Sequence, residues 1–332
     1  MPKVSIIIPN WNSNNVLEQC LRELSNQTNQ SFEIIIVDNG SEYRQSASFI
    51  LIPIELKIQT KKLPTNLGYA VANNMGARMA QGQWLALLNA DAFPEPDWLE
   101  NLLQAAEQNP EYKIFASRQI QANAPEWLDG AGDAYHLTGL AWRKDYNRSS
   151  KDHGHQQREV FSACPTAALY SREAFLHAGG FDEDYFSYFE DVDLGFRLRL
   201  NGEKCLYVPT AVVHHVGSAS TGKRSDFSVY YGYRNMIWTF FKDMPAPLLW
   251  LCLPLHLATL AFFVVYLTAR GQGRVILKAI RDAIHGLPNL LVKRREIQRN
   301  RKASTRELLR VMSTGLLEPY REFMQRNQKP VA

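Results

Sequence analysis

Lys3-Val4-Ser5-Ile6-Ile7-Ile8-Pro9 (residues 3–9) and Phe32-Glu33-Ile34-Ile35-Ile36-Val37-Asp38 (residues 32–38) decide the fold. Both are short apolar runs rich in Ile and Val, the pattern of parallel strands covered on both faces. Between them, over 14–26, Val16, Leu17, Cys20, Leu21 and Leu24 recur at helical spacing, so the chain opens as strand, helix, strand. The alternation continues with a third run over 54–60, a helix over 69–81, a fourth strand over 83–89, and a helix from near Pro94 to about Asn109. The first hundred residues predict an open α/β sheet.

Working outward, residues 119–160 lose this regularity and read as a loop-rich insertion over one end of the sheet. A strand within 160–170 follows, then a short helix from Ser171, a Gly179-Gly180 turn and a helix over 190–200 that Gly202 ends. Strands over 204–208 and 211–214 and an aromatic helix over 226–242 complete this part. With 332 residues, 45% of them apolar and 21% charged, the chain is neither disordered nor fibrous. Four scattered cysteines with no CxxC pair give no zinc or redox motif and suit a reducing compartment.

Ligands of open α/β sheets bind beyond the carboxyl ends of the strands. There the chain has Pro9-Asn10-Trp11-Asn12, Asp38-Asn39-Gly40-Ser41 and Asn89-Ala90-Asp91. An Asp after a strand also forms turns or caps helices, and for Asp38 alone that reading stands; three polar endings together favour a site. Asn10-Trp11-Asn12-Ser13 replaces the Gly-rich turn of a dinucleotide site, and no GxxxxGK[ST] occurs, which argues against hydride transfer and P-loop chemistry. What remains is a pocket for a base at Asp38 and a divalent cation, Mg2+ or Mn2+, near Asp91.

A second cluster, Glu190-Asp191-Val192-Asp193, sets three carboxylates at a helix start, where the helix dipole favours them. A plain acidic cap is one reading. The other gives Glu190 and Asp193 one face and Asp191 another, so that one carboxylate serves chemistry while another, paired with Arg197, holds structure. His214 and His215 follow, either structural or metal-ligating.

The segments VSIIIPNWN (4–12), VDNGS (37–41), NLGYAVANNMGAR (66–78), LLNADAFP (87–94), GGFDEDYFSYFEDVDLGFRLRLNG (179–202) and HHVGSAS (214–220) together give a resemblance. In their order and spacing the chain resembles family 2 glycosyltransferases of the GT-A fold, particularly the rhamnosyltransferase-like branch, over roughly residues 3–242. The resemblance implies a Rossmann-like open sheet that binds a nucleotide-sugar donor. It makes Asp38 the reader of the nucleobase edge, lines that pocket with Pro9, Asn10 and Asn12, and lays Asn66 and Gly68, with Asn73 and Asn74, against the nucleotide sugar. Asn89-Ala90-Asp91 stands at the DxD position; Asn89 replaces the first Asp, which leaves Asp91 as the metal-holding carboxylate. Asp191 matches the catalytic base and His215 a metal-holding histidine, while Phe181, Asp182 and Glu190 belong to the acceptor side.

Glycosyl transfer with inversion needs a base to take the acceptor hydroxyl's proton and a positive charge for the departing nucleoside diphosphate. An Asp with a reference pKa of about 3.9 is a weak base that acts late in such a step. The expectation is transfer to a glycan or lipid-linked acceptor in bacterial cell-surface polysaccharide synthesis, with dTDP-rhamnose as a candidate donor. The alternative, motivated by Asn89, is a non-catalytic sugar-nucleotide-binding or scaffold subunit.

The formal charge of +4 divides unevenly: residues 1–269 carry 22 basic and 28 acidic side chains, residues 270–332 carry 15 and 5. Between these parts Leu248 to Ala269 runs without Asp, Glu, Lys or Arg, long enough for a helix to cross a bilayer. No signal peptide is read at the N-terminus, so the nucleotide-sugar site is expected in the cytoplasm. A crossing would then place the basic tail outside, against the positive-inside rule. Pro245, Pro247 and Pro254 are expected break points for a re-entrant or shallow in-plane insertion with both flanks on the cytoplasmic face of the inner membrane, and with the amphipathic basic stretch 273–295 on the anionic surface. A buried helix hairpin is the other reading, and no nucleic-acid motif is present. The expected division is a GT-A catalytic domain over 1–242 and a membrane-associated helical region over 243–332.

Overall fold

The two apolar runs become adjacent parallel strands, β1 (Val4–Asn10) and β2 (Phe32–Asp38), in register from Val4 opposite Phe32 to Asn10 opposite Asp38. Val4, Ile6 and Ile8 enter one core layer and Ile7 the other, which is why the strand reads as unbroken apolar sequence. Burying each of these isoleucines contributes roughly 1.5–3 kcal/mol. The computed structural model describes residues 2–42, 56–217 and 225–327.

Helix α1 (Asn14–Ser25) joins the first two strands, β3 (Ile58–Lys62) adds a parallel edge, α2 (Tyr69–Met79) returns the chain, and β4 (Trp84–Leu88) pairs in parallel with β1. The beginning of the expected third run, at Ile54, lies outside the described residues. The helix expected from Pro94 starts later: Ala92–Pro94 form a short strand, β5, and α3 spans Trp98–Gln108. The cause is a competing ladder, since β5 pairs antiparallel with the last strand and the Glu95 N–H bonds Val212 O at 3.0 Å. Helices α1 and α3 cover one face of the sheet and α2 the other.

The irregular insertion contains short strands. After β6 (Ile114–Gln121) come β7 (Leu128–Gly130), the hairpin β8 (Asp133–Tyr135) and β9 (Ala141–Arg143), and β10 (Arg158–Val160). Strand β11 (Ala167–Ser171) runs antiparallel between β4 and β6 and leads through the Ser171 cap into α4 (Arg172–His177). Helix α5 covers Glu190–Leu200, and the two expected strands after it are one, β12 (Cys205–His215), with an irregularity between Val208 and Val212 where Pro209 lacks an N–H. The sheet order is β10-β12-β6-β11-β4-β1-β2-β3.

Five helices follow: α6 (Asp226–Asp243), α7 (Ala246–Ala269), α8 (Gly273–Arg299), α9 (Thr305–Val311) and α10 (Glu318–Asn327). Helix α7 continues through Pro254, so this residue is no break point. Leu249, Cys252, His256, Leu260, Phe263 and Leu267 form its buried stripe, and the His256 ring stacks on Phe240 at 4.0 Å while its Nδ1 lies 2.7 Å from Thr138 O. The boundary drawn at 242 falls inside α6. Leu308 and Met312 share a core with Tyr135, Phe161 and Phe196, and Arg294 on α8 donates to the Phe241, Lys242 and Met244 carbonyls that end α6.

Helix α5 lies between the sheet core, which takes Leu194 and Leu198, and the C-terminal helices, which take Val192, Phe196 and Leu200. Its charged residues are locked in the same place. The fully buried Lys242 ammonium on α6 pairs with Asp193 on α5 and, at 2.6 Å, with Asp182 before it. Lys293 on α8 reaches the other Asp182 oxygen at 2.5 Å, and Arg197 also holds Asp193. Burial opposes ionisation of Asp182, but Lys242 and Lys293 outweigh it and hold the carboxyl well below its usual range. Its contribution is therefore present above the unfolded carboxylate pKa and lost as pH falls through the folded one.

Lys242→Met should lower unfolding free energy by about 3 kcal/mol or more, because it leaves buried carboxylates undercompensated. Urea denaturation of the purified variant tests this, and a change under 1 kcal/mol contradicts the clamp. The wild-type protein should also lose stability steeply as pH drops below about 4, and the variant less steeply.

Candidate active site

The loops after β1 and β2 knit together beyond the carboxyl ends of these strands. The Asn39 N–H donates to Asn10 O at 2.7 Å, the Asn12 N–H to Ser41 Oγ at 2.9 Å, and the Glu42 N–H to Asn12 Oδ1 at 3.0 Å. Asp38 is fully buried and its Oδ1 accepts the Ser41 N–H at 3.0 Å, so it does form a turn, whatever else its carboxylate does. Asn10 is also fully buried, and its Oδ1 has no hydrogen-bond partner. Pro9 sits half-buried in β1 beside it.

Asn39 extends the same wall: its amide donates to Asn66 Oδ1 and Gly68 O, and its Oδ1 accepts from the Leu67 N–H. Gly68 has φ +94°, and a Cβ there would stand 2.5 Å from Phe186 O, so only glycine lets this loop approach residue 186. Asn73 and Asn74, in contrast, face inward. The Asn74 amide donates to Phe181 O and its Oδ1 accepts the Phe181 N–H, making it a brace for the 181–189 loop.

After β4, Asn89 Oδ1 accepts the Tyr69 hydroxyl at 3.0 Å. Asp91 Oδ1 lies 3.3 Å from His215 Nε2. His214 lies on the opposite face of β12, as alternation along a strand requires, with Nε2 at 3.0 Å from Glu95. Burial raises the Asp91 pKa, but the hydrogen bond and charge of His215 outweigh it and the carboxyl ends below its usual value. Burial likewise opposes charging of His215, and its two carboxylate partners, Asp129 and Asp91, lift it to about 8.

Among the described residues, no three carboxylate, imidazole or thiol groups converge on one point. Asp91 and His215 are thus a two-donor pair, a set that suits a Mg2+ or Mn2+ ion sharing its remaining positions with water and phosphate oxygens.

Asp129 and Arg143 were not singled out from sequence. Asp129 Oδ2 lies 2.8 Å from His215 Nδ1 and pairs with the Arg143 guanidinium, whose charge in turn reaches Asp191. Both residues sit in three-residue strands within the irregular insertion, too short to leave a periodic signal.

The loop entering α5 carries three non-glycine residues at positive φ, Phe186, Tyr188 and Phe189. Such backbone costs of order 1–3 kcal/mol per residue and persists where surroundings over-determine it. Here Asn235 on α6 bonds the Tyr185, Ser187 and Tyr188 carbonyls, and the Tyr69 N–H bonds Phe186 O.

The three carboxylates that follow are differentiated by environment. Burial, then the neighbouring Asp191, pushes Glu190 well above its ordinary pKa, and its Oε2 has no partner. Asp193 is kept low, because Arg197 and Lys242 outweigh its burial. Asp191 is partly exposed; burial raises its pKa, and the Val192 N–H at 2.8 Å and the Arg143 charge offset this only in part. Phe181, expected on the acceptor side, is 1% exposed and packs on Phe175 and Tyr69 in the core. Asp182 is likewise consumed by its two lysines, so neither side chain offers a surface to an acceptor.

The profile of Glycosyl transferase family 2 matches residues 5–178. The N-acetylglucosaminyl-diphospho-decaprenol L-rhamnosyltransferase of Mycobacterium tuberculosis is 30% identical over 271 residues, covering 70% of this chain and 84% of that protein. The O-antigen biosynthesis protein RfbC of Myxococcus xanthus is 29% identical over 234 residues, covering 68% of this chain; the match spans only 18% of that relative's length. Among solved structures, GalNAc-T7 with UDP, GalNAc and Mn2+ has a TM-score of 0.58 at 16% identity over 73% of this chain and 48% of that one, a likeness of fold.

Proposed function

The chain belongs to glycosyl transferase family 2 and is a glycosyltransferase, and from that premise we propose that it is an inverting enzyme. In this reading it moves a sugar from a nucleotide-sugar donor, with dTDP-rhamnose the first candidate, to a hydroxyl of a lipid-linked or glycan acceptor. The observation that carries it is Asp191: a partly exposed carboxylate with a raised pKa, flanked by Glu190, which burial raises well above its ordinary pKa, and by a structurally committed Asp193. A carboxylate raised toward the working pH is a better general base than one at its reference value.

The donor lies along the strand endings. Asp38, Asn10, Asn12 and Pro9 line the base pocket, and Asn66, Gly68 and Asn89 line the path from there to Asp91. Asp91 and His215 hold a divalent cation, Mg2+ or Mn2+, which when bound neutralises charge on the leaving diphosphate. Asp191 accepts the acceptor hydroxyl's proton as that oxygen attacks the anomeric carbon, and Glu190 borders the acceptor. The rhamnosyltransferase name of the mycobacterial relative supports the sugar and the polyprenyl-linked acceptor class.

The acceptor reading agrees with the C-terminal helices. The outer face of α7 exposes Trp250 at 68% and Val265 at 71%, and α8 adds Leu277 and Ile284 beside Arg274, Lys278 and Arg281. His256 ties the other face to the catalytic half, which favours a helix lying in the plane of the inner membrane's cytoplasmic surface over one crossing it.

Asp191→Asn should lower kcat by about 10²–10⁴ while donor affinity stays within a few-fold, and wild-type kcat should fall on the acid side at a pH above the usual carboxylate range. Radiolabelled transfer with Mn2+ and a donor panel measures both; retained turnover in the variant rules out this base. For the membrane, Trp250→Glu with Val265→Glu should abolish co-sedimentation with phosphatidylglycerol vesicles without lowering Tm. Undiminished vesicle binding contradicts the in-plane model.

A further inference from the structure

Asp129 lies inside the span that the family profile matches but outside the motif segments read from the sequence, and it touches the candidate cation site through His215. We propose that Asp129 is a positioning residue: it holds the His215 ring by Nδ1 so that the Nε2 lone pair faces Asp91. The inference rests on the reading of Asp91 and His215 as the cation's protein ligands. A neutral imidazole has one N–H, and whichever nitrogen carries it leaves the other free to ligate. An ionised carboxylate accepts only, and of the two that flank the ring Asp129 Oδ2 is the nearer, 2.8 Å from Nδ1 against 3.3 Å between Asp91 Oδ1 and Nε2, so the single proton of the neutral ring goes to Nδ1. A carboxylate behind a ligating histidine fixes the ring's orientation and raises its basicity.

The surroundings hold Asp129 for that task. It is 7% exposed and His215 6%, so water competes little for the bond. Strand β7, which carries Asp129, pairs with β6, and β6 pairs in parallel with β12 out to His215 opposite Gln121. The Ala122 N–H also donates to His215 O at 2.9 Å, so the backbone spacing of the two residues is set by the sheet. Arg143 gives Asp129 a permanent counter-charge from β9 and lies with Nη2 at 3.4 Å from Thr166 Oγ1. Its side chain crosses Gly130, where a Cβ would come within 3.2 Å of the Arg143 Cβ and Cδ. Glycine at 130 therefore leaves the path Arg143 takes to Asp129.

The test uses the full chain and Mn2+ alone, with free Mn2+ followed by electron paramagnetic resonance. Asp129→Asn should weaken Mn2+ binding about 10–100-fold, and His215→Ala should abolish it. A second readout needs no variant: in 15N-histidine-labelled, metal-free wild-type protein at about pH 10, His215 should be protonated at Nδ1. A purely structural Asp129 would not set that tautomer. Mn2+ affinity within twofold of wild type in Asp129→Asn, with His215→Ala inactive in binding, overturns the positioning role and leaves the cation site standing. A His215 protonated at Nε2 overturns it as well. Unchanged Mn2+ binding in His215→Ala instead overturns the cation site itself, and the role of Asp129 with it.

Discussion

The buried ammonium of Lys242, set between Asp182 and Asp193, is the interaction on which the rest of the structure depends. A lone charge at that depth would be prohibitive, so the lysine and its carboxylates must be ordered together. Ordering them fixes three things at once: the start of α5, the strained 182–189 loop, and the seat of α6. Lys293 and Arg294 then bind α8 to the same place, one through Asp182 and Asp184, the other through the carbonyls that end α6. The basic C-terminal helices are thus part of the scaffold that aims Asp191, and any lipid contact on their outer face acts on a rigid continuation of the catalytic half.

The acidic motif 190–193 makes the electrostatic logic visible. Three carboxylates in one turn cannot all be ionised cheaply, and the fold separates their roles by what it gives each one. Glu190 receives no counter-charge, and burial raises its pKa furthest from the ordinary value. Asp193 receives two and stays charged. Asp191 receives one peptide N–H and the distant field of Arg143, which leaves it between the two extremes. The base proposed at Asp191 needs that intermediate position, and the arrangement requires no feature beyond burial, one ion cluster and one arginine.

Much of this was legible in sequence wherever burial imposes a period. The Ile-rich runs at 4–10 and 32–38 declare two-sided burial, and α5 has the bounds its pattern predicts. Illegible parts lack a period or a local cause. Asp129 and Arg143 meet through three-residue strands, β5 exists only because β12 offers it a ladder, and Pro254 is tolerated because packing on Phe240 and Thr138 holds its helix. The family motif points Phe181 and Asn74 toward ligand surfaces, but a motif does not say which side of a loop faces the core. Polar residues near a pocket brace it as often as they touch its contents.

The central claim is that the strand endings and the start of α5 form one reaction centre, with cation and base on opposite sides of a bound sugar nucleotide. A crystal structure of the protein with Mn2+ and a nucleoside diphosphate, with the ion located by its anomalous scattering, tests this most directly. The account predicts Mn2+ on Asp91 and His215, the diphosphate on the ion, the base against Asp38, and Asp191 facing the space where the sugar would stand. Mn2+ bound elsewhere, or a nucleotide whose diphosphate points away from Asp191, would contradict it.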